Sequence, residues 1–235
     1  MQAPSVIDAE IAQFNALAAR WWDENGPMRP LHMMNSPRAD WVAARISRRF
    51  GPGTRVLDVG CGAGLLSEAL AKKGFNVLGL DAGADVIAAA YAHASGQYLP
   101  LDYRNGTAED LAAEGQSFPV ITALEVIEHV ADPVAFLRTL ASLLAPGGML
   151  FLSTLNRTPA SYLTAKVGAE YVLRLVPAGT HDWSKFITPA ELGRQCRAAG
   201  LKLTDTAGLS FSPLTRGFRI SRDLSVNYLA AAEAV

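Results

Sequence analysis

The stretch that decides the fold is Val56-Leu57-Asp58-Val59-Gly60-Cys61-Gly62-Ala63-Gly64. Its first part, Val56 to Val59, is a run of aliphatic and β-branched residues that ends at a turn signal, which predicts a buried strand. Three alternating glycines follow, and glycine allows a backbone turn to bring its amide groups against a ligand. Residues Leu65 to Lys73 then continue as a helical pattern, so the helix N-terminus would face the same ligand. The stretch therefore predicts a nucleotide site.

The spacing of the glycines separates two classes of nucleotide-binding protein. The dinucleotide fingerprint G-x-G-x-x-G needs its third glycine at position 65, where this chain has leucine. A nicotinamide-dependent dehydrogenase is therefore disfavoured. The observed G-x-G-x-G, preceded by Asp58, resembles motif I of the class I S-adenosylmethionine-dependent methyltransferases. That resemblance implies S-adenosylmethionine as the cofactor, with Asp58, Gly60 and Gly62 at its site.

Composition and charge limit the classes of partner. With 235 residues and 50% hydrophobic content, the chain fits a single domain with a sizeable core. The formal net charge of -1 gives no footprint for a polyanion, so no nucleic acid partner is expected. Two cysteines are too few for a disulfide framework, which fits a reducing cytosol. Without a signal-peptide pattern or a run of ~20 apolar residues, we expect a cytoplasmic protein, either soluble or peripheral on a membrane.

Predicted strands and helices alternate along most of the chain. This pattern predicts an open, mostly parallel sheet with helices on both faces and a ligand cleft at the carboxyl ends of the strands. Two late strands are expected to form an antiparallel pair at the sheet edge, as in methyltransferases of this class, which makes seven strands in all. The predicted strands are Val56–Val59, Asn76–Asp81, Leu99–Arg104, Phe118–Leu124, Met149–Leu155, Leu201–Leu209 and Leu224–Ala231.

Residues 1–50 are expected to form a helical cap. Apolar residues recur every three to four positions from Ser5 to Glu24, which predicts an amphipathic helix. Three prolines then predict a loop from Asn25 to Ser36, which either covers the site or is a plain connector. Pro37 suits the first turn of a second helix, from Arg38 to Phe50.

The second predicted strand ends in a carboxylate, Asp81. It lies about twenty residues past the first glycine, the distance at which nucleotide-binding α/β folds place an acid on the ribose hydroxyls. The alternative is that Asp81 caps the helix that follows, from Ala84 to His93. Because Asp81 comes together with the glycine turn, the ribose role is favoured.

Glu125, Glu128 and His129 follow the fourth strand, where the cleft is expected. A phenolic substrate, with a pKa near ~10, must lose its proton before it attacks a methyl sulfonium. His129 could take this proton as general base, with Glu128 beside it. Alternatively, Glu125, Glu128 and His129 could hold Mg²⁺ or another divalent ion that acidifies the hydroxyl. The plain alternative is that these side chains only satisfy backbone groups at a turn.

The alternation stops from 156 to 187, and we interpret this segment as an insertion after the fifth strand. Within it, Lys166, Glu170 and Arg174 recur every four residues and would share one helix face, with an apolar remainder. Such a helix could lie on an anionic membrane, roof an apolar pocket, or simply pack on the sheet. A loop of this length at the ligand end of a sheet usually carries function.

Further motifs together resemble one family, the bacterial ubiquinone-biosynthesis O-methyltransferases, nearly from end to end. The segments that carry the resemblance, besides the glycine motif, are Phe14 to Trp22, Pro30-Leu31-His32, Asn35 to Arg38, Glu128-His129-Val130, Ser153 to Arg157, Val167 to Tyr171 and Gly179 to Asp182. The resemblance implies methylation of ring hydroxyls on a 2-polyprenyl-6-hydroxyphenol and a 3-demethylubiquinol.

The resemblance also implies residue roles and a location. By family position, contacts to S-adenosylmethionine fall on Arg38, Gly60, Asp81 and Leu124, the last through its backbone to the adenine. Related eukaryotic members use a divalent metal at the motif that corresponds to Glu125, Glu128 and His129. Attachment to the inner membrane, with anionic lipids contacted through residues 161–177, and contact with other ubiquinone-biosynthesis proteins are further expectations. The alternatives are an O-methyltransferase for a smaller phenol and a non-catalytic, cofactor-binding scaffold.

Overall fold

A single eight-stranded sheet organises the computed structural model, which describes residues 5–163, 183–212, 214 and 217–235. The strands are β1 Arg55–Val59, β2 Asn76–Asp81, β3 Leu101–Asn105, β4 Phe118–Leu124, β5 Leu144–Leu155, β6 Leu201–Ser212, β7 Gly217–Ser221 and β8 Asn227–Ala234. They lie in the order β3-β2-β1-β4-β5-β8-β6-β7. The strands from β3 to β5 are parallel, and β8, β6 and β7 continue the sheet with antiparallel pairing.

The predicted fold class is confirmed, with one strand more than expected. The additional strand, β7, pairs with the end of β6 at the sheet edge. The last strand, β8, begins at Asn227 rather than at Leu224 and lies between β5 and β6. The number of seven strands was therefore wrong, whereas the antiparallel edge was predicted correctly.

Helices cover both faces of the sheet. They are α1 Asp8–Asn15, α2 Arg29–Arg49, α3 Leu65–Ala71, α4 Ala84–Ala94, α5 Ala108–Ala113, α6 Pro133–Leu143, α7 Pro159–Ser161 and α8 Pro189–Ala198, with short 3₁₀ turns at Ala18–Arg20, Ile127–His129 and Trp183–Lys185. Successive residues of a strand point to opposite faces. In β1, Val56 packs with residues of α2 and α3, and Leu57 packs with residues of α5, α6 and α8. Both faces of the central strands are therefore buried, as a parallel sheet requires.

The N-terminal cap differs from its prediction in two places. The expected helix from Ser5 to Glu24 is shorter, because α1 ends at Asn15 and a 3₁₀ turn follows. The expected loop from Asn25 to Ser36 is helical from Arg29 onward, and Pro37 lies inside α2 instead of starting it. A proline inside a helix costs about 3 kcal/mol. Burial of Met34, Trp41, Val42 and their neighbours on the inner face of α2 offsets this cost.

The segment from 156 to 187 leaves the sheet after β5 and returns to the same point. The backbone N–H of Ile187 donates to the carbonyl of Leu155 at 3.0 Å, and Phe186 and Ile187 are buried. Residues 164–182, which contain Lys166, Glu170 and Arg174, lie outside the described residues. None of the helices within the described part of the chain has the length and apolar character needed to cross a bilayer.

Candidate active site

A cavity of about 1070 Å³ lies at the carboxyl ends of the parallel strands. Its wall includes the glycine turn after β1, the ends of β2 and β4, the inner side of α1 and α2, and the antiparallel strands β6 and β7. Most of the side chains that line it are apolar. The position agrees with the cleft predicted from the alternation of strands and helices.

The glycine turn forms part of the cavity wall, and two of its positions accept only glycine. Gly60 and Gly62 have φ values of 69° and 55°, in the left-handed region. A Cβ on Gly60 would lie 2.5 Å from Cγ2 of Val126, and a Cβ on Gly62 would lie 2.2 Å from Cζ2 of Trp21. The backbone is therefore packed closely against the cap and the turn after β4, and it can come equally close to a ligand.

Asp81 lines the cavity at the end of β2 and is held by the backbone. Its Oδ2 accepts from the N–H of Gly62 at 2.9 Å and its Oδ1 from the N–H of Gly83 at 2.8 Å. Burial raises the pKa of Asp81, and these two hydrogen bonds oppose the increase. The N-cap residue of α4 is Gly83, so Asp81 does not fill that role. Because a carboxylate offers about four lone-pair sites, it can still accept from a vicinal diol.

Asp58 is used inside the fold. Its Oδ1 accepts from the hydroxyl of Thr122 at 2.7 Å and its Oδ2 from the hydroxyl of Ser67 at 2.6 Å. Burial raises the pKa of Asp58 to about 6, and the two hydroxyl bonds oppose this. Although Asp58 lies at the cavity wall, its bonds join β1 to α3 and β4. These bonds hold Asp58 at the cavity wall, and its contact with the cofactor stays a prediction.

Arg38, on α2, presents a buried positive charge to the cavity. Its Nη1 lies 3.9 Å from Oε1 of Glu125, and its Nε has no hydrogen-bond partner among the described residues. Burial lowers the pKa of Arg38, while the charges of Glu125 and Asp58 raise it. A buried guanidinium with an unused N–H suits an anion, such as the carboxylate of a methionine moiety. With the glycine cradle and Asp81, the site therefore fits S-adenosylmethionine.

Leu124 and Glu125 stand at the end of β4. Leu124 lines the cavity beside the glycine turn, where the adenine contact was predicted. Glu125 has a positive φ of 57°, which is uncommon for a residue other than glycine. Its Oε1 accepts from the hydroxyl of Ser153 at 2.6 Å and from Nδ2 of Asn227 at 3.0 Å. Glu125 thus belongs to a hydrogen-bond network with Ser153 and Asn227, and the same oxygen lies near the guanidinium of Arg38.

Glu128 and His129 lie in the turn after β4 and both line the cavity. Glu128 is buried, and its Oε2 has no partner within the described ranges. Burial, followed by the nearby charge of Glu125, raises the pKa of Glu128 to about 8. Nδ1 of His129 lies 3.0 Å from Oε2 of Glu10, and the ring meets Phe14 edge-on. Burial lowers the pKa of His129, and the carboxylate of Glu10 opposes this change.

The predicted metal ligands do not converge. Within the described ranges, no group of three or more His, Cys, Asp and Glu side chains has a geometry that could hold a metal ion. Glu125 faces Ser153 and Asn227, and Nδ1 of His129 faces Glu10. As they stand, Glu125, Glu128 and His129 do not fit a divalent-ion site.

Two charged residues near the site were not predicted. Oε2 of Glu10 contacts His129, and Nζ of Lys185 donates to Oε1 of the same carboxylate at 2.8 Å. Glu10 comes from α1 and Lys185 from the 3₁₀ turn near the end of the insertion. Nothing in the local sequence marks either residue, because their meeting depends on how α1 packs on the domain.

Comparison with known proteins decides the family. A family model of a methyltransferase domain matches residues 32–206. The ubiquinone biosynthesis O-methyltransferase of Cereibacter sphaeroides (strain ATCC 17025 / ATH 2.4.3) is 49% identical over 99% of this chain and 98% of that protein. The protein of the same name from Parvibaculum lavamentivorans is 50% identical over 97% of this chain and 94% of that protein. The chain belongs to the ubiquinone biosynthesis O-methyltransferase family. The resemblance read from the sequence is therefore confirmed.

Solved structures confirm the methyltransferase fold. The magnesium protoporphyrin IX methyltransferase of Synechocystis PCC 6803, with bound SAH, superposes with a TM-score of 0.69 at 22% identity over 97% of this chain and 99% of that chain. An S-adenosylmethionine-dependent methyltransferase from Clostridium acetobutylicum gives a TM-score of 0.66 at 13% identity, over 94% and 98% of the two chains. The chain thus shares its fold with methyltransferases that are only 13% and 22% identical to it.

Proposed function

We propose that this chain transfers a methyl group from S-adenosylmethionine to a ring hydroxyl of a polyprenylated phenol in ubiquinone biosynthesis. The substrates implied by the family are 2-polyprenyl-6-hydroxyphenol and 3-demethylubiquinol. The observation that carries the proposal is the imidazole of His129, held at the wall of the same cavity that the glycine turn, Asp81 and Arg38 line. Identity near 49% over the whole chain to proteins of that name supports the substrate class.

Three groups hold the cofactor. The backbone of Gly60 and Gly62 would pack against its methionine end, Asp81 would accept from the ribose hydroxyls, and the free N–H of Arg38 would donate to its carboxylate. When bound, S-adenosylmethionine supplies an electrophilic methyl group on a positively charged sulfur. Leu124 lines the adenine end of the site. These contacts position the methyl group, and holding two reactants in place supplies much of the rate of a two-substrate transfer.

His129 produces the nucleophile. Its Nε2 accepts the proton of the substrate hydroxyl, and the phenolate oxygen then bonds to the methyl carbon as the carbon–sulfur bond breaks. The products are a methyl ether, a neutral thioether and a protonated imidazole, whose proton passes to water. Glu128 is neutral near pH 7 because its pKa is raised to about 8. It donates a hydrogen bond to the oxygen on the neighbouring ring carbon of the substrate. The reaction as proposed runs without a metal step.

The size and lining of the cavity favour a prenylated substrate over a small phenol. The volume of about 1070 Å³, which the substrate shares with S-adenosylmethionine, is just above the range of ordinary ligand pockets, about 300–1,000 Å³. Met28, Met33, Leu163 and Phe211 are among the apolar side chains that would contact an isoprenoid chain. A non-catalytic scaffold is the alternative, and the unpartnered Oε2 of buried Glu128 argues against it, because a scaffold gains nothing from that cost.

The membrane location is part of the proposal. We infer cytoplasmic placement with peripheral attachment to the inner membrane through residues 161–177, where anionic lipids meet Lys166 and Arg174. Tyr162 and Leu163, at the described start of this segment, expose large apolar side chains. Other ubiquinone-biosynthesis proteins are the expected neighbours there.

The decisive experiment is turnover of a catechol that carries a short prenyl chain. We expect methylation by the wild type and a loss of about 10²- to 10⁴-fold in kcat for His129→Gln, the usual contribution of a general base. Calorimetry should give the same Kd for S-adenosylmethionine in both proteins. His93→Gln, which changes a histidine outside the cavity, is the matched control, and a chelator should leave the wild-type rate unchanged.

Each alternative has its own outcome. A wild type that binds S-adenosylmethionine without methylating any phenol would favour the scaffold. Preference for an unprenylated catechol would favour the smaller substrate. Full activity of His129→Gln would remove the histidine from the mechanism, and inhibition by chelator would reinstate the divalent ion.

A further inference from the structure

We propose that Glu10 is the positioning residue of the catalytic histidine, an inference that rests on the proposed methyl transfer. The Glu10 carboxylate lies between two donors. Its Oε2 is 3.0 Å from Nδ1 of His129, and its Oε1 accepts from Nζ of Lys185 at 2.8 Å. The three side chains come from positions 10, 129 and 185, so the arrangement exists only in the folded chain.

Helix α1 fixes the imidazole from two sides. Glu10 and Phe14 are four residues apart, which places them on the same face of the helix. Phe14 meets the His129 ring edge-on, with centroids 5.3 Å apart and planes at 85°. The phenyl ring limits tilting of the imidazole, and the carboxylate limits its rotation. Together they hold the ring in one orientation at the cavity wall.

The carboxylate also selects the tautomer. An ionised carboxylate only accepts hydrogen bonds, so Nδ1 of His129 must carry the hydrogen. The lone pair of the imidazole then lies on Nε2, the atom that takes the proton from the substrate hydroxyl. After proton transfer, the positive imidazolium stands beside the negative Glu10. The same residue thus prepares the base and stabilises its charged form.

Lys185 fixes which oxygen is available to the histidine. Its ammonium group can only donate, so it requires an acceptor at the Oε1 position of Glu10. This makes Glu10→Gln a sharp probe. The amide oxygen would face Lys185, the amide NH₂ would face Nδ1, and the imidazole would have to move its hydrogen to Nε2. The histidine would then be blocked at the atom that takes the substrate proton.

The experiment compares four full-length variants with the wild type on the prenylated catechol. We expect Glu10→Gln to lower kcat by about 10- to 100-fold, less than the loss of the base itself. KM and the Kd for S-adenosylmethionine should stay within about twofold, because the substitution leaves the cavity shape unchanged. In Glu10→Gln/Lys185→Met the amide is free to turn its oxygen to Nδ1, so part of kcat should return. Asp8→Asn, which removes an exposed carboxylate of the same helix, is the matched control, and Lys185→Met alone is the reference for the double variant.

A spectroscopic readout separates positioning from general stability. In protein labelled with ¹⁵N-histidine, the ring signals of His129 should show the hydrogen on Nδ1 in the wild type and on Nε2 in Glu10→Gln. A structural role alone would leave the tautomer unchanged. If Glu10→Gln does not fold, Glu10→Asp takes its place, with an unchanged tautomer and a lower kcat because the carboxylate is one methylene shorter.

The outcomes distinguish this inference from the proposed function. Wild-type kcat and tautomer in Glu10→Gln, together with an inactive His129→Gln, would overturn the role of Glu10 and leave the methyl transfer intact. Failure of Glu10→Gln/Lys185→Met to exceed Glu10→Gln would also contradict the proposal. An inactive wild type, or a fully active His129→Gln, would instead overturn the proposed function itself.

Discussion

At the scale of single residues, Glu128 is a carboxyl group in an environment very different from water. It is buried beside Glu125, its Oε2 has no partner in the described part of the chain, and its pKa is raised to about 8. Burial disfavours the charged form of Glu128 more than the hydrogen bonds that oppose the rise in its pKa favour it. The folded protein therefore holds this carboxyl in its neutral form at pH 7.

This environment predicts a pH-dependent stability that Glu128→Gln should remove. Below pH 4.5 the carboxyl is protonated in both the folded and the unfolded chain. As the pH rises, the unfolded chain releases the proton first, so the free energy of unfolding falls until the folded pKa near 8 is passed. At about 1.4 kcal/mol per pKa unit, the loss amounts to a few kcal/mol. Urea unfolding at pH 5 and pH 9 should show a larger loss for the wild type than for Glu128→Gln.

Because the free energy of unfolding is compared between pH 5 and pH 9 in the same variant, any pH-independent loss of stability caused by the glutamine cancels. Glu24→Gln, at an exposed position, is the control and should follow the wild type. Parallel stability profiles for the wild type and Glu128→Gln would show that Glu128 is not kept neutral by the fold.

Some site residues could be predicted from their place at a strand end, whereas the role of others depends on tertiary contacts. Asp81, Glu128 and His129 were predicted because strand ends meet at one edge of a parallel sheet, and the structure places them there. Asp58 belongs to the same motif, yet hydroxyl groups from α3 and β4 occupy both its oxygens. Glu10 could not be predicted, because its role arises only from the packing of α1.

At the scale of elements, the sequence predicted the sheet better than the cap. The central strands are rich in aliphatic and β-branched residues, and β1, β2 and β4 match their predictions within one residue. Pro37 was misread because a proline usually begins or ends a helix, whereas here the buried face of α2 overrides it. Strand β7 was missed because Gly217–Ser221 is a half-exposed edge strand with no apolar run.

Alanine substitutions at two glycines should distinguish the effect of backbone strain from the effect of close packing in the glycine turn. Gly62→Ala would place a methyl group 2.2 Å from the ring of Trp21, and Gly74→Ala meets nothing within 4 Å. Both positions have positive φ, which costs an alanine about 1–2 kcal/mol. We expect both variants to lose thermal stability, Gly62→Ala more, and only Gly62→Ala to lose the rise in Tm that S-adenosylmethionine produces. An equal rise in Tm for both variants would show that Gly62 does not form the cofactor cradle.

At the scale of the whole molecule, the net charge alone gives no support to the proposed attachment to an anionic membrane. The formal net charge is -1, which gives no general attraction to an anionic bilayer. The proposed membrane attachment would therefore have to come from a local surface, and basic residues near a bilayer contribute about 1 kcal/mol each. In the segment 161–177, Lys166 and Arg174 are spaced to share a helix face. Attachment there would bring the cavity, which Leu163 lines, to the source of a prenylated substrate.

Two double charge-reversal variants that change the net charge equally can test whether membrane binding depends on residues 161–177. Lys166→Glu/Arg174→Glu and the control Arg194→Glu/Lys202→Glu each lower the net charge by four units, two per reversal, and the control residues are exposed elsewhere on the surface. Only the first pair should weaken sedimentation with phosphatidylglycerol vesicles, by at least about 30-fold, since removing two basic residues alone is worth about 2 kcal/mol. High salt should reduce binding of the wild type, and phosphatidylcholine vesicles should bind weakly throughout. Equal losses for both pairs would mean that global charge governs binding, and undiminished binding of the first pair would place the membrane contact outside residues 161–177.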